Sequence, residues 1–361
     1  MSEVFSSLFS DPRLAVAAAA AAIGVVFGIL SESSQLCLFG GLREARDGKP
    51  SRLAAYFIAV LASLAATQGL IALTDVDLST SVYLAVASAI PGMILGGLIF
   101  GFGAALTRGC AGRLTVLAAS GNLRALTVII VLGLAAYATM RGILAPLRLP
   151  VEAIAKPAAA MPDMITAAGM GSSARLVLTF GALALAFGLF RFAGAFRTFA
   201  SLAVGGLVAA GWAASAILGD DGLEKLQPWT ATFVAPLANS LQYLMTFTGA
   251  KIDFGVAFVG GVLIGALVSS VVAGRFRLHS FESPRQTLRY LLGAIMMGFG
   301  GVLALGCTTG QGFAGVSVLA PASFAAIASI AVGMWAGLLY DARKTAFTEP
   351  IPASPHQAPA E

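Results

Sequence analysis

The sequence predicts an all-α membrane protein of about nine transmembrane helices plus short re-entrant helices, in two pseudo-symmetric inverted halves. Three observations predict it. Of the 361 residues, 58% are hydrophobic and 11% charged, with mean hydropathy +0.88; a soluble domain carries roughly 25% charged residues. Several apolar runs exceed the roughly 18 residues that mark a spanning helix. A ten-residue stretch also recurs without a gap. Gly101-Phe102-Gly103-Ala104-Ala105-Leu106-Thr107-Arg108-Gly109-Cys110 returns as Gly298-Phe299-Gly300-Gly301-Val302-Leu303-Ala304-Leu305-Gly306-Cys307, an offset of 307 − 110 = 197 residues.

The first span covers about 14–30, with Gly24 and Gly28 four apart, a small-xxx-small face that lets another helix come close. Ser31 to Gly41 is too polar for a lipid-facing helix and too apolar for a free loop; it contains Gln35 and Cys37. Backbone of that kind at membrane depth must be buried in protein or line a cavity. The second span is about 53–73 and ends in an acidic turn with Asp75 and Asp77. The third, about 86–106, is dense in glycine and leads to Cys110, flanked by Arg108 and Arg113. The fourth is about 123–144. Residues 145–171 hold Pro146, Pro150, Pro157 and Pro162 and read as an irregular connector.

The fifth and sixth spans are about 176–192 and 199–218, followed by the acidic residues Asp220, Asp221 and Glu224. Residues 229–249 carry Pro236 and read as a half-helix. The seventh, eighth and ninth spans are about 254–273, 290–305 and 322–339; the eighth runs into Cys307 and an uncharged stretch, 308–321. The spans divide as four, one and four. The organisation is therefore 1–144 as a first repeat, 145–197 as connector and linking span, 198–344 as a second repeat and 345–361 as a Pro/Ala-rich disordered tail. The lone fifth helix makes the second half enter from the opposite face, which puts a shared site near the midplane. The counterpart of Cys37 in the second half is expected near 244–249, at Met245 or Thr246.

Basic residues cluster after the odd-numbered spans, which sets the N-terminus outside and the C-terminus in the cytoplasm of an inner membrane. The same placement explains the net charge of +5 without nucleic acid. Met1 to Asp11 lack the basic start and cleavage site of a signal peptide, so the N-terminus reads as retained.

Cys37, Cys110 and Cys307 are the three cysteines. An odd number in distant segments is not a disulfide framework. With two histidines and no CxxC or HxxxH spacing, no metal site is expected. No phosphate-binding Gly-rich loop and no cofactor motif is present. A lone buried cysteine is usually a small hydrophobe. Here each follows the end of a span in a break, and two stand at equivalent positions of a repeat. A thiol is a weak donor and acceptor and is soft, suited to loose, multi-site contact with a sulfur-bearing anion. Gly109 and Gly306 shape the breaks. Gln35, Gln311 and Thr308–Thr309 either bond anion oxygens or cap the breaks. Arg108 and Arg113 either draw anions to the cytoplasmic mouth or mark orientation. Glu32 reads as a helix-end residue at the interface. No catalytic residue is assigned.

The breaks Ser34-Gln35-Leu36-Cys37, Arg108-Gly109-Cys110-Ala111-Gly112 and Leu305-Gly306-Cys307-Thr308-Thr309-Gly310-Gln311-Gly312 carry a resemblance to the YeeE/YedE family of sulphur transport membrane proteins, over about residues 14–341. The resemblance implies an hourglass of spanning and re-entrant helices. It implies uptake of thiosulfate, or a related small sulfur anion, past Cys37, Cys110 and Cys307. Some family members are linked to selenium compounds instead. It also implies a separate TusA-like cytoplasmic sulfur carrier as partner, since the tail after Arg343 has no cysteine. A membrane sulfurtransferase, passing sulfane sulfur from a cysteine to a carrier, is the competing reading; it needs a thiol beside a cation, which Arg108 near Cys110 supplies.

Overall fold

The computed structural model describes residues 12–74, 76–85, 90–153, 162–219, 226–247 and 252–345. Asp75, Asp220, Asp221, Glu224, the start of the expected third span, Pro157, residues 1–11 and the tail 346–361 lie outside the described residues.

The described chain is helical. It runs α1 (Pro12–Ser34), α2 (Leu38–Arg46), α3 (Ser51–Leu73), α4 (Val82–Ala85), α5 (Ile90–Leu106), α6 (Ala111–Ala119), α7 (Leu123–Arg141) and α8 (Ala145–Ala153). There follow α9 (Met164–Ala167), α10 (Ser172–Ala193), α11 (Ala195–Ile217), α12 (Val234–Met245), α13 (Phe254–Val272), α14 (Pro284–Leu303), a π-helical turn (Gly310–Gly315) and α15 (Pro321–Thr345). Among the described residues, eight stretches are long and apolar enough to cross a membrane, so the protein is a multi-pass membrane protein. Two of them, Pro12–Arg46 and Ile90–Ala119, are each a pair of helices joined through a cysteine-bearing break. The expected eighth span falls in α14, whose first turns carry Arg285, Gln286 and Arg289 and so dilute its apolar run. The connector is less irregular than expected. Within it, α8 holds Pro150 and α9 is capped by Asp163, whose Oδ1 accepts the Ile165 and Thr166 N–H groups at 3.0 Å.

Other helix starts carry capping side chains. Asn122 caps α7, Asp253 caps α13 with an Oδ1 to Val256 N distance of 2.7 Å, and Ser283 caps α14 with Pro284 at its first turn. Pro236 sits in the first turn of α12, where a missing N–H costs nothing.

Packing relies on small residues. A Cβ on Gly28 would lie 2.4 Å from the Val262 carbonyl oxygen, and one on Gly265 would lie 2.0 Å from that of Val25. The α1–α13 seam is thus backbone against backbone, the use expected of the Gly24/Gly28 face. In the α5–α14 seam, Gly103 meets the Gly293 carbonyl and Gly300 meets that of Gly96, each at 2.6 Å from an added Cβ. These two contacts are images of one another under the 197-residue offset of the repeated motif.

The helix pairings follow the same exchange. The pair α1–α13 corresponds to α11–α3, α5–α15 to α14–α7, α2–α3 to α12–α13, and α2–α15 to α12–α7. The linking helix α10 lies outside this set. It packs mainly on α3 and leaves the apolar side chains of Phe180, Leu185 and Phe187 exposed.

Candidate functional site

Three breaks share one local design. A residue with positive φ stands two positions before each cysteine: Gln35 (φ 56°), Arg108 (φ 59°) and Leu305 (φ 52°). Left-handed backbone at a residue other than glycine costs of order 1–3 kcal/mol and persists only where its surroundings fix it. At two of the breaks this residue ends a helix in a Schellman arrangement. The Gly109 N–H reaches the Ala104 carbonyl at 3.0 Å, and the Gly306 N–H reaches that of Gly301 at 2.9 Å. The next residue is the cysteine, and a new helical segment begins there.

Each cysteine thus stands at the N-terminal end of a helical segment. Cys37 caps α2, and its Sγ accepts the Gly40 N–H at 3.5 Å. Cys307 Sγ accepts the Gly310 N–H, also at 3.5 Å. Cys110 precedes α6 and caps nothing with its side chain; its Sγ lies 3.9 Å from that of Cys37. All three are buried and unbridged. Helix N-termini present positive partial charge and free N–H groups, so three of them brought into one region favour an anion.

The thiol pair faces a cavity of about 20 Å³, lined also by Ser31, Tyr56, Arg113, Thr308, Thr309 and Phe313. The Tyr56 hydroxyl donates to the Thr308 carbonyl at 2.8 Å and so fixes the start of the segment after Cys307. Cys307 itself does not line this cavity, although the adjoining Thr308 does. Arg113 lines it and donates to the Ser31 carbonyl at 3.3 Å.

The other residues singled out in the sequence divide. Gln311 is fully buried; its Nε2 donates to the Ala304 carbonyl at 2.5 Å, capping α14, while its Oε1 has no hydrogen-bond partner. Gln35 is half-buried and accepts from Arg52 at 2.5 Å, with Arg52 also 3.0 Å from Glu44. Gly109 and Gly306 are the links between the left-handed residue and the thiol. Arg108 is exposed and lies away from the cavity, so Arg113 is the cation at the thiols. Glu32 is buried and held by Arg275 at 2.5 Å and Ser269 at 2.9 Å, tying α1 to the end of α13. Among the described residues no group of three or more His, Cys, Asp or Glu side chains could hold a metal ion.

The counterpart of Cys37 is not near Met245 or Thr246. Those residues are at the far end of α12, whereas Cys37 precedes the first residue of α2, and the residue in that place before α12 is Phe233. It is fully buried among Phe27 and Phe258, at ring-centroid distances of 5.9 and 5.6 Å.

A second cavity of about 400 Å³ is lined by Asp77, Ser79, Asp163, Thr166 and Arg175 with apolar residues that include Val318. It is larger but holds no thiol. Arg175 donates to Gln68 Oε1 at 2.7 Å, and Gln68 Nε2 donates to the Ser317 carbonyl at 2.8 Å, so the cavity is wired to the segment that follows Cys307.

The family described as "Sulphur transport" matches residues 33–336, which include all three breaks. The chain belongs to the sulphur transport family. Two relatives of this family member are each named "Thiosulfate transporter TsuA". The one from Spirochaeta thermophila is 27% identical over 334 residues, covering 87% of this chain and 95% of the relative. The one from Escherichia coli strain K12 is 24% identical over 331 residues, covering 86% and 91% respectively.

Proposed function

We propose that this sulphur transport protein carries thiosulfate, or a closely related small sulfur anion, inward across the cytoplasmic membrane, past Cys37, Cys110 and Cys307. The observation that carries the reading is the convergence of three thiol-headed helix N-termini within a helical membrane protein whose relatives are named thiosulfate transporters. Partial positive charge at the helix ends attracts the anion. Thiols then offer weak S–H contacts, loose enough for release. Arg113 supplies the fixed cation beside the pair, and Thr308 and Thr309 supply hydroxyls for the anion's oxygens.

In this reading 1–144 and 198–344 are inverted halves about the site, joined by α10. The basic, exposed end of α2, with Arg43 and Arg46, faces the cytoplasm, as does the C-terminus. Gln35 and Gln311 hold the breaks, Gln35 Oε1 accepting from Arg52 and Gln311 Nε2 donating to the Ala304 carbonyl, while Gln311 Oε1 is left without a partner. A TusA-like carrier in the cytoplasm receives the sulfur.

Uptake of radiolabelled thiosulfate into liposomes holding the purified protein tests the proposal. Accumulation of label in parent liposomes, lost in Cys110→Ala, is expected; equal accumulation in both overturns it. The sulfurtransferase reading has one observation in its favour, the Arg113 guanidinium beside a thiol pair. It predicts a cysteine heavier by one sulfur atom after exposure to thiosulfate, and permeation predicts unmodified thiols with label inside.

A further inference from the structure

The pair Cys37 and Cys110 differs from every other thiol arrangement in the described chain. The two sulfurs are 3.9 Å apart with no group between them, while Cys307 Sγ is turned to the Gly310 N–H. A disulfide needs about 2.05 Å between sulfurs, so roughly 2 Å of approach is required. Both residues occupy N-cap positions with extended backbone, Cys37 at φ −165° and Cys110 at φ −80°, outside the regular turns of α2 and α6. Because neither residue lies inside a helical turn, the approach does not require a helix to unwind. The adjoining cavity of about 20 Å³ has room for one water-sized molecule, which needs about 10–15 Å³. Its polar lining, Arg113 with Thr308 and Thr309, suits a small hydrogen-bonding oxidant.

We propose that Cys37 and Cys110 are an oxidative modification site at which hydrogen peroxide forms a reversible disulfide that closes the anion path. Cys37 is the attacking sulfur. Its Sγ accepts the Gly40 N–H and it heads α2, whose N-terminus favours a thiolate. The Cys37 thiolate attacks one peroxide oxygen. The O–O bond breaks, and the departing hydroxide takes up the proton that the thiol released and leaves as water. Cys37 is then a sulfenic acid. Cys110 sulfur attacks the Cys37 sulfur, the S–O bond breaks, and the Cys110 proton leaves with the hydroxyl as a second water. Two thiols and one peroxide become one disulfide and two waters; two electrons pass from sulfur to oxygen. A dithiol reductant reverses it by two thiol–disulfide exchanges. The closing effect rests on the transport reading above, because the bond removes two of the three S–H contacts at once; the modification itself does not.

The test uses the full-length protein in liposomes, treated with hydrogen peroxide, then alkylated and digested without reduction for mass spectrometry. One linked peptide pair, Cys37 with Cys110, and an alkylated Cys307 are expected, with both thiols restored by dithiothreitol. The same link is expected in Cys307→Ala and none in Cys37→Ser or Cys110→Ser. A link that includes Cys307, or cysteines that oxidise singly with no link, overturns the site. Uptake of labelled thiosulfate, measured on the same liposomes, is expected to fall to background with peroxide and to recover with dithiothreitol. A link that forms while uptake continues overturns the closing step and leaves the modification site standing. Absence of uptake in untreated liposomes fails the transport reading alone, since the link is read by mass.

Discussion

The two halves of the molecule build corresponding breaks and fill them differently. In the first half both short helices, α2 and α6, are headed by a cysteine, and the two sulfurs touch. In the second half only the segment after Cys307 is so headed, and α12 begins behind Phe233. The difference extends to the backbone. Gln35, Arg108 and Leu305 are left-handed two residues before their cysteines, and no such residue precedes Phe233. The Phe233 ring instead lies over the start of α6, where a Cβ on Gly112 would come within 2.9 Å of its Cε2. The lesson is that a repeat can supply a symmetric frame while its site stays lopsided, soft and polar on one side and aromatic on the other.

Phe233→Ala is expected to remove about 3–5 kcal/mol of stability, the usual cost of deleting a buried phenyl, seen as a lower melting temperature in detergent. Cys37→Ala is expected to change stability little, because so small a side chain is replaced by another, yet to abolish thiosulfate uptake. If both variants lost stability equally and uptake survived in Cys37→Ala, the two positions would be alike in packing and the asymmetry would carry no function.

Next comes the pair of arginines that flank Cys110. Arg113→Gln removes the cation that lines the thiol cavity and is expected to cut uptake about tenfold, the equivalent of 1.4 kcal/mol of lost anion stabilisation. Arg108→Gln, at an exposed position, is expected to leave uptake near the parent value. Uptake assays at several thiosulfate concentrations check both. The reverse order of effects would move the cation of the path to the other side of the break.

The smallest effect concerns the connector, where α10 is tied down by Arg175 against Asp163 at 2.9 Å. Burial works against ionisation of this carboxyl, but the Thr166 N–H and hydroxyl and the Arg175 guanidinium outweigh it and hold Asp163 below the usual carboxylate range. The sign follows: a depressed carboxyl stabilises the fold above its ordinary value near 4, and the gain is lost as the pH falls through the lower folded value. Melting temperatures of the parent and Asp163→Asn are expected to differ by a small, constant amount at neutral pH and to converge only in acid. A gap that closes near pH 7 would remove Asp163 from the account.

The membrane class was legible because apolar runs of spanning length leave no alternative for a chain so poor in charge. The close seams were legible in part: glycines four apart on α1 announced a backbone contact, which α13 supplies. The breaks were legible as polar, glycine-rich interruptions, and the 197-residue offset reappears in the reciprocal contacts of Gly96 with Gly300 and Gly103 with Gly293. The left-handed residues were not legible, since Gln35, Arg108 and Leu305 are side-chain types with no preference for positive φ. Neither was the choice of arginine. Arg108 lies two residues and Arg113 three residues from Cys110 in sequence, but one stands exposed in the turn, while the other lies in the first turn of α6 and lines the cavity.

The amino-acid order alone therefore determined a helical membrane protein with a recurring ten-residue motif and a thiol at each of three interruptions, because hydropathy and repetition are properties of the chain read in one dimension. Which thiols meet was decided only by the tertiary structure. Cys37 and Cys110 are 73 residues apart, and their 3.9 Å approach depends on how α2 and α6 are held by α3, α7 and α13. The place of Phe233 opposite them was decided in the same way, since an apolar residue in an apolar sequence gives no sign of its position until neighbouring helices close around it.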